Sequence, residues 1–154
     1  MSRALYEAIK QHGGTIAECA RPPAGEPSDE GPPQLAAAGP RAAGHEAEYE
    51  LLLELILEGS LLHYGKPRVI HTDDPDLALL LGDQLYALGL ARLAALGDLE
   101  AVDVLADVIA QIAQANAGGD PGRAGEIWEA GARSVGWGVS GPAEAASSRS
   151  TNAS

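Results

Sequence analysis

DPDLALLLGDQLYALGLARLAALGD, residues 74–98, decides the fold of this chain. Asp74-Pro75 is a helix start: the carboxylate caps free backbone amides, and proline suits the first helical position, where its missing N–H costs nothing. No second proline follows, and leucine and alanine recur without strict alternation, so the spacing predicts a helix to about Leu96. With Asp76 at zero on a helical wheel, Asp83 falls beside it. Gln84 and Arg92 lie on different faces, and the remaining residues are Leu, Ala, Gly or Tyr. A helix this apolar requires neighbours on most of its circumference. Gly97-Asp98 then ends it and caps another.

Downstream, Leu99 to about Asn116 reads as an amphipathic helix. Leu99, Val102, Leu105, Ala106, Ile109, Ile112 and Ala113 are expected inward, and Glu100, Asp103, Asp107, Gln111 and Gln114 outward. Upstream, His45 to Tyr64 reads as a leucine-rich helix in which Glu46, Glu50, Glu54 and Glu58 form one drifting acidic stripe, expected to be the strip that faces water. Gly65-Lys66-Pro67 breaks it. Residues 2–18 suit a short helix weakened by Gly13-Gly14. Arg21 to Gly44, dense in Pro, Gly, Ala and acidic residues, is expected to be a flexible linker. After the turn at Gly118 to Gly122, residues 125–135 suit one more short helix bearing Trp128. The fold class expected is all-α, a helical bundle. Its divisions are 1–20 (short helix), 21–44 (linker), 45–117 (helical core), 118–138 (turn and short helix) and 139–154 (disordered tail). Deleting the linker or the tail is expected to leave the fold unchanged.

The composition agrees. Of 154 residues, 45% are hydrophobic, with no Phe, four Tyr and two Trp, so the core is built from aliphatic and small side chains that favour helices. The net charge of −12 repels phosphate backbones and anionic headgroups, which argues against nucleic acid and charged membrane surfaces. Cys19 has no second cysteine to pair with, no apolar run follows a basic start, and glutamates interrupt the longest leucine run. A cytoplasmic protein without a transmembrane segment is expected.

No complete catalytic or metal constellation emerges. His45-Glu46-Ala47-Glu48-Tyr49 opens like the zinc-protease helix but has Tyr49 where the second histidine belongs. His63 and His71 flank a Pro-containing loop across which they could approach one another, with no third ligand indicated; plain loop histidines are the simpler reading. Cys19 has only His12 nearby, and no Gly-x-Ser-x-Gly turn occurs. The glycine-rich run 118–125 lacks the Lys-Ser/Thr pair of a phosphate loop. Asp73-Asp74-Pro75-Asp76 begins like a magnesium-diphosphate motif, yet its fifth position is Leu77 and helix capping accounts for it.

Gly65-Lys66-Pro67-Arg68-Val69-Ile70-His71, followed by Leu80-Leu81-Gly82-Asp83-Gln84-Leu85-Tyr86-Ala87-Leu88-Gly89-Leu90, resembles the Gly-Lys-Pro loop and following helix of the all-helical trans-prenyl diphosphate synthases. Residues 93–106 resemble the small, non-catalytic component I of heterodimeric heptaprenyl diphosphate synthases. The resemblance covers about His45 to Asn116. It implies a partial isoprenoid-synthase-like bundle and an accessory subunit supporting a catalytic polyprenyl synthase in quinone side-chain synthesis, with Mg2+ entering only through that partner. It also implies Lys66, Arg68 and His71 as diphosphate contacts and Leu81, Leu85, Tyr86, Leu88 and Leu90 as a partner interface. The plain reading of the three cations is a solvated basic loop. Both acidic motifs of a catalytic member are missing, and His63 and Tyr64 stand where its two arginines would be, so the chain alone is expected not to condense prenyl diphosphates. The alternative is a helical interaction module unrelated to isoprenoids. Either way, helices so widely apolar are not expected to form a stable monomer.

Overall fold

The computed structural model describes residues 2–24 and 30–139. Within them the chain is all-α, with seven helices: α1 (Ser2–His12), α2 (Gly14–Glu18), α3 (Pro32–Ala37), α4 (Glu46–Tyr64), α5 (Pro75–Ala95), α6 (Leu99–Ala117) and α7 (Ala124–Trp137). Short 3-10 turns at Pro40–Ala42 and Pro121–Arg123 lead into α4 and α7. The expected tail lies beyond the described residues from position 140 onward.

The α5 start forms as its sequence requires. Asp74 Oδ1 accepts from the amides of Asp76 (3.0 Å) and Leu77 (3.2 Å), with Pro75 at the first helical position. Asp98 caps α6 through the amide of Ala101 at 3.1 Å. Joined by the short 65–74 loop, α4 and α5 form an antiparallel hairpin whose contacts run in opposite numerical order. Glu48 pairs with Arg92, Gly89 approaches Leu52 and Ile56, and Gly59 approaches Gly82. Glycine permits the crossing. A Cβ on Gly89 would stand 2.5 Å from Ile56 Cγ1 and 2.9 Å from the Leu52 carbonyl, and one on Gly59 would stand 2.8 Å from the Gly82 carbonyl.

Two apolar clusters flank α4. One joins it to α3, α6 and α7 through Leu52, Leu53, Ile56, Leu105, Ile112, Trp128 and Val135. The other joins it to the N-terminal helices through Leu5, Ile9, Ile16, Leu55, Leu62, Val69, Ile70, Leu81 and Leu85. Gly13 and Gly14 split the expected N-terminal helix in two, both with φ near +75°, a region that favours glycine.

Two expectations need correction. The region 21–44 is not a linker over its described residues. Its residues from 31 onward build α3 and a 3-10 turn whose Ala36 and Ala42 are fully buried against α4 and α7. Alanine and glycine bury little surface each, but they let two backbones touch, and Gly39 lies directly on Gly136 of α7. The buried stripe of α6 is Ala101, Leu105, Val108, Ile112 and Ala115, so the helix is turned from the face expected, and Leu99 remains 65% exposed. Small alanines mark the close approaches here, where a wheel weighted by bulk selected Leu99 and Ile109. By length and composition alone, α5 at 21 residues is long and apolar enough to cross a membrane, a test that the core helix of a soluble protein also passes. A third of that stretch is buried within the chain, against α4 above all.

Candidate functional site

The C-terminal half of the acidic stripe of α4 turns inward rather than to water, while Glu46 at its start stays exposed and Glu50 is half-buried. Glu54 is 2% and Glu58 0% exposed. Burying a carboxylate is costly unless its lone pairs are filled, and here the loop after α4 fills them. Glu58 Oε2 accepts from the backbone amides of Arg68 (3.0 Å), Val69 (2.7 Å) and Ile70 (2.9 Å). Three successive amides on one oxygen form an anion nest whose anion comes from the chain itself. Arg68 closes the arrangement, with one guanidinium nitrogen 2.6 Å from Glu54 Oε2 and Nε 3.5 Å from Glu58 Oε1. Gln34 of α3 reaches Glu54 at 3.3 Å. The loop so fixed pairs with the N-terminal segment: Arg21 N donates to Val69 O at 2.8 Å and His71 N to Cys19 O at 2.9 Å, around an isolated antiparallel bridge between Ala20 and Ile70.

This changes the expected diphosphate contacts. Arg68 is the counter-ion of two buried glutamates, so its charge is neutralised inside the fold, while Lys66 and His71 remain at the exposed rim of the loop. The expected partner interface is also altered. Leu81 and Leu85 are buried in the cluster that α4, the 65–74 loop and the N-terminal helices share, Tyr86 is buried against α4 facing Gly59, and Leu88 and Leu90 are half-buried against the two clusters. His63 and His71 do not form a shared site. His63 Nε2 lies 3.2 Å from Asp83 and 3.1 Å from Leu79 O, with its ring 5.3 Å from that of Tyr86. Among the described residues no group of three or more His, Cys, Asp or Glu is arranged to hold a metal ion.

A second polar cluster ties the first 3-10 turn to α4, α6 and α7. Arg41 donates to Asp98 Oδ1 (2.6 Å), to Val135 O (3.0 Å) and to Glu100 (2.9 Å), and the Tyr49 hydroxyl donates to Asp98 Oδ2 at 2.8 Å. Burial alone raises the Asp98 pKa. The hydrogen bonds from Tyr49, Arg41 and the Ala101 amide outweigh that and hold it below the ordinary carboxylate range. Tyr49, buried and beside that carboxylate, is pushed up to about 12, and burial pushes Tyr86 up to about 12 as well. Stability is therefore expected to fall as pH rises from about 10 towards 12, because the unfolded tyrosines ionise first. At the acid end, the Asp98 contribution, complete above the unfolded carboxylate value, is lost as pH falls through its lower folded value. Ultraviolet titration of the phenolates in Tyr49→Phe and Tyr86→Phe checks the assignment: each should lack one late-titrating tyrosine.

Both clusters are internal and structural. Leu99, Trp137 and Tyr64 are exposed singly, but the far side of α5 presents a continuous row outward: Asp76, Leu80, Asp83, Ala87, Ala91 and Ala94 are all exposed, Leu80 at 65%. They recur every three or four residues and so share one seam, the spacing by which one helix receives another. Leu79, 48% exposed, flanks it. An apolar groove of about 320 Å3 lies elsewhere, between α4, α6 and α7, lined by Leu57, Leu61, Ile112 and Trp128. Comparison with protein-family models, with curated proteins and with solved structures finds no match to this chain.

Proposed function

We propose that this chain is a helical interaction subunit that contributes a docking face to a partner and no chemistry of its own. The exposed α5 seam carries this reading. A 21-residue helix whose outer side offers Leu80, Ala87, Ala91 and Ala94 in helix-pairing register leaves apolar surface that a partner helix would cover. The internal use of Glu54, Glu58 and Arg68 supports a non-catalytic role, because the chain's buried charges are committed to fixing its own loop. The resemblance of residues 65–71 and 80–90 to the trans-prenyl diphosphate synthases, and of residues 93–106 to the non-catalytic component I of the heterodimeric enzymes, favours a catalytic synthase as the partner. Affinity capture after co-expression with such a synthase tests that choice.

The docking reading is tested by a photoreactive benzoylphenylalanine placed at Ala87, in cells that make the chain at native level. Irradiation should join the chain to a discrete partner, whereas the same residue at Gln114, exposed on α6, should not. Equal or absent cross-linking at both positions would refute the assignment.

A further inference from the structure

The seam on α5 is not uniform. Its N-terminal half carries two carboxylates, Asp76 and Asp83, seven residues and so about 10 Å apart along the axis, with Leu80 between them. Asp83 touches His63 at 3.2 Å yet stays 69% exposed. The C-terminal half carries only Ala87, Ala91 and Ala94, side chains short enough to let another helix approach closely and to receive larger side chains.

A second copy of the chain fits this face poorly. In a parallel pair each aspartate meets its own counterpart. In an antiparallel pair centred on Ala87, Asp83 lies opposite Ala91, and the seam supplies no lysine or arginine. Arg92, the one arginine of α5, is turned towards α4 and held by Glu48 at 3.1 Å. Each copy would also bring a formal charge of −12.

Resting on the docking reading above, we propose that the α5 seam binds a basic amphipathic helix of a different protein. Lysine or arginine residues about two turns apart meet Asp76 and Asp83, and leucine-sized side chains settle over the three alanines. Opposite charge sets the register and the direction of approach, and the alanine half supplies the close packing.

The test uses two synthetic helical peptides of 21 residues, each with a Leu-rich seam. One carries Lys at two seam positions seven apart, and the other carries Glu there. Binding to the full chain is read by fluorescence anisotropy. The Lys peptide is expected to bind at least about tenfold more tightly than the Glu peptide, with the gap narrowing as salt is raised. Asp83→Lys, which takes the charge of the seam from −2 to 0, should abolish most of the preference, and Ala87→Glu should weaken the Lys peptide without changing helix content by circular dichroism. Equal affinity for the two peptides, binding of neither, or a preference untouched by Asp83→Lys would overturn the proposal. So would a dimer of the chain alone that Ala87→Glu dissolves. If cross-linking at position 87 succeeds while the peptides fail, the charge rule falls and the docking face stands.

Discussion

Glu58→Ala is expected to lower folding stability by about 3–5 kcal/mol, the range for removing one partner of a buried, hydrogen-bonded charge arrangement. The substitution leaves the amides of Arg68, Val69 and Ile70 without their acceptor and leaves Arg68 with Glu54 as its counter-ion. It also frees the loop that pairs with residues 19–21, so the cover supplied by Leu5, Ile9 and Ile16 should loosen with it. Glu58→Gln, which keeps one acceptor oxygen, should cost less. Denaturant unfolding at neutral pH gives the magnitude, and amide hydrogen exchange at Val69 and Ile70 gives the location. A loss below about 1 kcal/mol, the scale of an exposed pair, would show that the nest contributes little.

Gly39→Ala is the second large effect, expected at about 1–3 kcal/mol and towards the upper end. The added Cβ would overlap the backbone of Gly136, its Cα, C and O together, and no side chain is there to swing aside. The 3-10 turn must then lift from α7, which strains the Arg41 bonds to Val135 and Asp98. Gly125→Ala, on the same helix with nothing within 4 Å of its new Cβ, is the control and should be neutral or slightly stabilising. Thermal unfolding of the two variants checks the contrast; equal melting temperatures would mean that the 31–44 region is not seated as described.

The hairpin and α6 were legible because their signals are local. Asp74-Pro75 and Gly97-Asp98 act within one turn, and the observed ends fall within a residue or two of those expected. What escaped depends on contacts distant in sequence. Pro32 to Ala43 looks like a linker because its side chains are small. Its burial comes from backbone set against α7, and nothing in a Pro-Gly-Ala composition shows where the matching Gly136 lies. Glu54 and Glu58 look like a solvated stripe when only the wheel is drawn. The available hint was their flanking by Leu53, Leu55 and Leu57 on a helix with hardly any polar face, and the answer required three amides from residues 68–70. Leu81 and Leu85 were expected to serve a partner and instead lie in the same buried cluster as Leu5 and Ile9 of α1, because a weak-looking amphipathic segment still covers apolar surface when the loop pins it in place.

The most direct measurement is the native size of the chain in extracts of cells that produce it, compared between the unaltered sequence and Ala87→Glu. Sedimentation with immunodetection should find the unaltered chain well above the 15.8 kDa of one copy and the variant at or near that mass. An unaltered chain that runs as a monomer, or a variant that keeps the larger size, would contradict the account of α5 as the docking face.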